Sequence, residues 1–300
     1  TQDQLHRQLR DNLGLREEQL ILTPSSDAAF KAFYEVYVQP GDRVVMLDPS
    51  YAMFPVYARM FGAEAVLVPY NNDVELNDES LLSCITPGVK LLMLANPNQP
   101  TGTLLDEGIL REVIDRAADV SALVVMDEAY YAFSRVTALP WLDTYPNLLV
   151  TRTFSKGAGL AGLRLGFVAG HPEVIENLYK VRTVNDLNSM AILCAIEVLK
   201  HPDIIGDYVA QVEVGKRLLV SQVEDLGLKV LPSHANFVLI RVAHRCQPAV
   251  LVEALKHHGY LVKGPLDAPC VADCIRVALG PPDLMSDFAD SLRSVLESGP

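Results

Sequence analysis

The sequence predicts an α/β fold in which helices cover both faces of a mostly parallel central sheet, joined to a smaller C-terminal α+β domain. Three observations carry that prediction. Short apolar runs of strand length alternate with amphipathic stretches through the first half of the chain. Those runs are apolar at every position, not at every second one, as in strands buried on both faces. After Pro172 the alternation gives way to long helical stretches and then short strands. With 300 residues, 50% of them apolar, there is material for two coupled domains, expected at 1–200 and 201–300.

Taken in order, Gln4–Leu13 and Asp27–Val38 carry apolar residues at helical spacing. Arg43–Leu47 is the first uninterrupted apolar run, closed by Asp48-Pro49, and Tyr51–Phe61 follows as a helix. Ala65–Pro69 and Lys90–Ala95 read as the next strands and Leu105–Ala118 as the next helix. Leu123–Met126, Leu148–Thr151 and Leu165–Ala169 complete the strands of the larger domain. Glu173–Val184, Ser189–Lys200 and Ile205–Leu226 are long enough for helices, the last one joining the two domains. The smaller domain is expected to hold strands at Lys229–Leu231, Phe237–Val242, Tyr260–Lys263 and Cys274–Leu279, with helices at Ala249–His258 and Asp283–Leu296.

Charge narrows the function. The balance of 25 basic against 37 acidic residues gives −12, which repels phosphate backbones and anionic lipid, so neither nucleic acid nor membrane is an expected partner. The longest apolar stretch, Met190–Ile196, is far short of the roughly 20 residues that span a bilayer. No basic stretch followed by an apolar one opens the chain, and a cytoplasmic location is expected. Five cysteines (Cys84, Cys194, Cys246, Cys270, Cys274) form an odd set without metal-ligand spacing; they read as reduced thiols, and no metal site is expected.

In open α/β sheets ligands sit beyond the carboxyl ends of the strands, and four successive ends here carry polar or aromatic groups. They are Asp48-Pro49-Ser50-Tyr51, Asn96 to Gly102, Asp127-Glu128-Ala129-Tyr130, and Thr153-Phe154-Ser155-Lys156 running on to Arg164. Gly157, Gly159 and Gly162 satisfy a G-x-G-x-x-G pattern, but the next segment is a strand, not the helix a dinucleotide site requires. Lys156 offers the better account. A lysine amine can condense with an aldehyde, and neighbouring hydroxyls with an arginine can hold a phosphate. An aldehyde and a phosphate on one molecule describe pyridoxal phosphate, whose ring nitrogen needs a carboxylate to stay protonated; Asp127, at the tip of a buried strand, is the candidate.

These segments, with Ser25-Ser26-Asp27, Asn236-Phe237-Val238 and Ile275-Arg276-Val277, resemble the fold type I pyridoxal-phosphate aminotransferases of class I and II. Within them they are most similar to the histidinol-phosphate aminotransferase-like group. The resemblance implies that Lys156 is the Schiff-base lysine and then the base that moves the proton, that Asp127 pairs with the pyridinium, and that Tyr130 bonds the ring oxygen. It further implies that Tyr51 stacks on the ring and that Ser26 and Asp27 give backbone N–H groups to the phosphate. Ser155, Arg164 and Thr153 would complete that cradle. Arg276 would clamp a substrate carboxylate with Asn236 beside it, and the enzyme would be a homodimer acting on small amino and oxo acids. Glu128 is expected to be a structural partner.

Four features depart from the family pattern. Gln99 stands where an Asn would contact the ring oxygen, Lys263 where an Arg would meet a substrate phosphate, and Asn185 near a usual Tyr; the covering N-terminal arm before Gln4 is read as absent. The expected activity is transfer of an amino group from a donor such as glutamate to a small oxo acceptor. Two alternatives stay open: decarboxylation of a phosphorylated amino acid, and a non-catalytic sensor.

Overall fold

The computed structural model describes residues 1–299. Its first sheet is built from β1 (Leu20–Thr23), β2 (Arg43–Asp48), β3 (Glu64–Pro69), β4 (Val89–Ala95), β5 (Leu123–Asp127), β6 (Leu148–Thr153) and β7 (Gly166–Gly170), in the order β1-β7-β6-β5-β4-β2-β3. Pairing from β3 through β2, β4 and β5 to β6 is parallel, and β7 runs antiparallel to both its neighbours. The helices are α1 (Gln2–Leu13), α2 (Ser25–Tyr37), α3 (Met53–Met60), α4 (Asp78–Ser83), α5 (Glu107–Asp119), α6 (Tyr131–Ser134), α7 (Pro172–Val181), α8 (Ser189–Lys200), α9 (Pro202–Asp225), α10 (Pro248–His257) and α11 (Pro282–Ser298). A second sheet, β8 (Lys229–Leu231), β9 (Phe237–Arg241) and β10 (Cys274–Ala278), is antiparallel with β9 at its centre.

Burial explains why the strands are apolar at every position. Along β2, Val44 and Met46 face a core formed with Phe30 and Phe33 of α2 and Phe54 of α3, while Val45 and Leu47 face Leu81 of α4 and Leu110, Val113 and Ile114 of α5. Side chains alternate across a strand, so a sheet covered on both sides needs apolar residues at both parities. The smaller sheet does the same: Val238, Ile240 and Ile275 join α9, α10 and α11, and Leu239 and Cys274 join the core of the large sheet.

Three local expectations are corrected. Tyr260–Lys263 is not a strand; only Lys263 makes a bridge, to Arg276, beside the Gly264-Pro265 turn. The helix expected from Tyr51 begins at Met53, and the Tyr51 hydroxyl donates to Asp27 of α2. Glu173–Val184 stops at Val181. Strand β1 and helix α4 were not expected; each is short, at four and six residues. No helix of the described residues is long and apolar enough to cross a membrane.

Candidate active site

The carboxyl ends of β1, β2, β4, β5 and β6 lie on one edge of the large sheet, and β7 starts there. One cleft is consequently lined by Ser26 and Asp27 after β1, Tyr51 after β2, Gln99 after β4, Asp127 and Tyr130 at the end of β5, Thr153, Ser155 and Lys156 at the end of β6, and Arg164 before β7. Ser25, Phe30, Ala95 and Ala129 share the wall. Gly166 is required beside it: a Cβ there would come within 2.9 Å of the Ser26 nitrogen and 2.7 Å of the Arg152 carbonyl.

The acid at one end is Asp127, 6% exposed. Thr151 Oγ1, its register neighbour on β6, donates to Asp127 Oδ1 at 3.0 Å. Burial pushes the Asp127 carboxyl up to about 7; the bonds from Thr151 and the Ala129 backbone oppose this, and the nearby Lys156 charge opposes it less. Glu128 points the other way. Its carboxylate takes Arg152 Nε at 2.9 Å, Thr137 Oγ1 at 2.9 Å and the Ala138 N–H at 2.7 Å, and Arg152 lies 3.4 Å above the Tyr131 ring. That buried pair braces the turn after β5, in keeping with a structural role.

The amine of Lys156 sits 5.4 Å from the centre of the Tyr130 ring. Burial lowers its proton affinity, Arg276 and Arg164 lower it further, and Asp127 partly offsets them. The Tyr130 hydroxyl, raised to about 12 chiefly by burial, donates to Gln99 Oε1 at 3.1 Å. Gln99 is held by its turn, where buried Asn98 accepts from Ser50 and donates to Pro49 O and Thr101 Oγ1. The Tyr51 hydroxyl, likewise pushed up to about 12 mainly by burial, donates to Asp27 Oδ1 at 3.2 Å, and the Tyr57 hydroxyl donates to Asp27 Oδ2 at 2.9 Å.

At the other end Arg164 Nη2 donates to Ser25 Oγ at 2.9 Å, and Thr153 Oγ1 donates to Ser155 Oγ at 2.9 Å while accepting from the Ser155 N–H. Hydroxyls, a guanidinium and the start of α2 suit a phosphate. A buried carboxylate suits a cationic ring, and an amine of lowered proton affinity between them suits an aldehyde. The residues present fit pyridoxal phosphate.

A family model for class I and II aminotransferases matches residues 2–292. This chain belongs to that family. It is 35% identical to the histidinol-phosphate aminotransferase of Symbiobacterium thermophilum over 98% of this chain and 81% of that protein, and 33% identical to that of Roseiflexus castenholzii over 97% and 79%. The crystal structure of histidinol-phosphate aminotransferase from Sinorhizobium meliloti in complex with pyridoxal-5'-phosphate superposes with a TM-score of 0.87 at 27% identity, over 99% of this chain and 82% of that one. The chain is a fold type I, pyridoxal-phosphate-dependent aminotransferase.

Four further sequence candidates lie outside the cleft wall of this aminotransferase. Arg276 stands over Phe237 at 5.4 Å, and Phe237 packs edge-on against Tyr130. Lys263 is exposed but pairs backbone to backbone with Arg276. Asn236 is half-buried, and its carbonyl accepts from Leu279. Asn185 is exposed on a loop closed by the Arg182–Asp186 ion pair at 2.6 Å. Sequence reasoning missed Ser25, Thr151 and Tyr57. Ser25 was legible only as part of its motif, and Thr151 only through its register beside Asp127.

Proposed function

We propose that this aminotransferase moves an amino group from a donor such as glutamate to a small phosphorylated oxo acceptor, imidazole acetol phosphate, in two half-reactions at one site. One observation carries the reading: Arg276 stands over Phe237 at 5.4 Å, Phe237 packs edge-on against Tyr130, and the Lys156 amine lies 5.4 Å from that same Tyr130 ring, which sets a guanidinium fork on the side of the reacting amine. That fork matches the carboxylate of glutamate in one half-reaction and the phosphate of the acceptor in the other. The histidinol-phosphate aminotransferases among its relatives support this choice of acceptor.

When bound, pyridoxal phosphate supplies an aldehyde and an electron-withdrawing ring that weakens the bonds at the substrate's α-carbon. Lys156 Nζ would take and return the α-proton, a task that its lowered proton affinity favours. Asp127 holds a proton on the ring nitrogen. Tyr130 and Gln99, already bonded to each other, would meet the ring oxygen, and Tyr51 would cover the ring. Ser26, Asp27, Thr153, Ser155 and Arg164 hold the phosphate, with Asn236 and Lys263 flanking Arg276 on the substrate side. Residues 1–200 carry the cofactor and residues 201–300 bring Arg276 to it. The working form in this reading is a cytoplasmic homodimer, and Asn185 belongs with the substrate-side residues.

The test offers glutamate-loaded enzyme a panel of oxo acids and phosphorylated ketones. Consumption of imidazole acetol phosphate in step with 2-oxoglutarate formation is expected. Carbon dioxide released when the unloaded, aldehyde-form enzyme is given a phosphorylated amino acid, without transfer, would establish the decarboxylase instead.

A further inference from the structure

We infer that Ser25 is a positioning residue for the phosphate end of the cleft: its hydroxyl fixes Arg164, and the backbone strain at both residues is retained for that purpose. The inference rests on the pyridoxal-phosphate reading above. Six non-glycine residues of the described chain have positive φ: Ser25, Val74, Ser121, Arg135, Arg164 and Asn185. Of these only Ser25 and Arg164, at φ 76 and 53, line the cleft. They are bonded to each other, Nη2 to Oγ, across 139 residues of sequence. A left-handed conformation is unfavourable for any residue with a Cβ and free for glycine. Such strain persists only where the surroundings over-determine it, and it concentrates at functional sites.

The surroundings do over-determine Ser25. It is 3% exposed, its carbonyl accepts from Thr23 Oγ1 at 2.9 Å, and Gly166 packs so close that a Cβ there would lie 3.0 Å from the Ser25 carbonyl carbon. Glycine would satisfy the same turn without strain, but it would leave Arg164 Nη2 without this acceptor. The choice of acceptor matters as well. Both hydrogen bonds of Arg164, to Ser25 Oγ and to the Ala161 carbonyl at 3.2 Å, go to neutral oxygens. The guanidinium is thereby held in place with its charge unspent, which is what a phosphate needs and what a carboxylate anchor would deny.

Two variants separate hydroxyl from strain, because Ser25→Ala removes only the first and Ser25→Gly removes both. Cofactor-free protein is titrated with pyridoxal phosphate by visible absorbance, with inorganic phosphate as competitor, and its melting temperature is measured separately. Both variants are expected to bind the cofactor about tenfold or more weakly, the usual worth of a hydrogen bond to a charged group, and to compete less well with phosphate. Cofactor-free Ser25→Gly is expected to melt about 2–4 °C above Ser25→Ala. Wild-type affinity in both variants would overturn the anchoring role, and a Ser25→Gly melt no higher than Ser25→Ala would overturn the stored strain. If wild-type protein itself binds no pyridoxal phosphate, the cofactor reading fails instead, and the melting comparison still decides whether Ser25 is strained.

Discussion

Replacing Asp127 by Asn tests the electrostatics of the site in protein freed of its cofactor. Burial moves this carboxyl from its ordinary 3.8 up to about 7. At 1.36 kcal/mol per pKa unit, that corresponds to about 4 kcal/mol held against the fold once the group ionises. Below about pH 4 the carboxyl is protonated in the folded and the unfolded chain alike, and the cost is absent. Between about pH 4 and 7 the unfolded chain ionises while the folded one resists, so stability falls as pH rises; above about pH 7 the cost is complete. The amide of D127N can still accept from Thr151 and from the Ala129 N–H, but it carries no charge. Taking about 2 °C per kcal/mol for a chain of this size, cofactor-free D127N should melt up to roughly 8 °C above wild type near pH 8. The two should converge near pH 4. Scanning calorimetry across that range reads both quantities. With pyridoxal phosphate added the advantage should shrink, because a cationic ring returns the burial cost to the wild type alone, and turnover of the variant should fall by about two orders of magnitude or more. A variant that melts at or below wild type near pH 8, or that keeps the wild-type slope between about pH 4 and 7, would refute the reasoning.

Lys156→Ala should retain cofactor only non-covalently, with a shifted visible spectrum and almost no turnover; spectra before and after borohydride reduction check this. Arg152→Met leaves Glu128, whose side chain is 2% exposed, as a buried charge without its cation, and should cost about 3–5 kcal/mol in urea unfolding, part of which E128Q should restore. Gly102→Ala forces a Cβ into a φ of 76 and against the side chain of Ser233, so thermal unfolding should show a loss of about 2 kcal/mol or more, together with weaker holding of Gln99.

The parts of the site that were legible in the sequence are those whose chemistry is rare in residue type. A lysine, an aspartate and an arginine at strand ends stand out because each needs a reason to be there, and all three line one cleft. Ser25 and Thr151 do not stand out, since serine and threonine are common at turns and strand ends; their roles come from a φ value and a strand register that no local pattern encodes. Asp27 was expected to act through its backbone, yet its carboxylate also tethers Tyr51 and Tyr57, a contact made across 24 and 30 residues. The fold was legible along β2, β4 and β5, buried on both faces, and also at the more exposed β3 and the three-residue β8. It was not legible at β1, four residues long, nor at Tyr260–Lys263, where one bridge residue stands against Arg276 in place of a ladder.

The charges around the cleft also dictate which way round a ligand lies. Asp127 and Arg164 both act on Lys156, in opposite senses, and Arg164 is bonded to Ser25 and Ala161 and not to the Asp127 carboxyl. Asp127 is buried, where a charge without a close partner is costly, while Arg164 is exposed and gives both its hydrogen bonds to neutral oxygens. A molecule with a phosphate on one side and a protonated ring nitrogen on the other answers both ends at once. Turned end for end it would set phosphate against the buried carboxylate and cation against guanidinium, the first of these repulsions in low-dielectric surroundings. Orientation is thus chosen by the two walls before Lys156 reacts. Burial, Arg276 and Arg164 all lower the proton affinity of the Lys156 amine, which favours the neutral form that a carbonyl in this orientation would need.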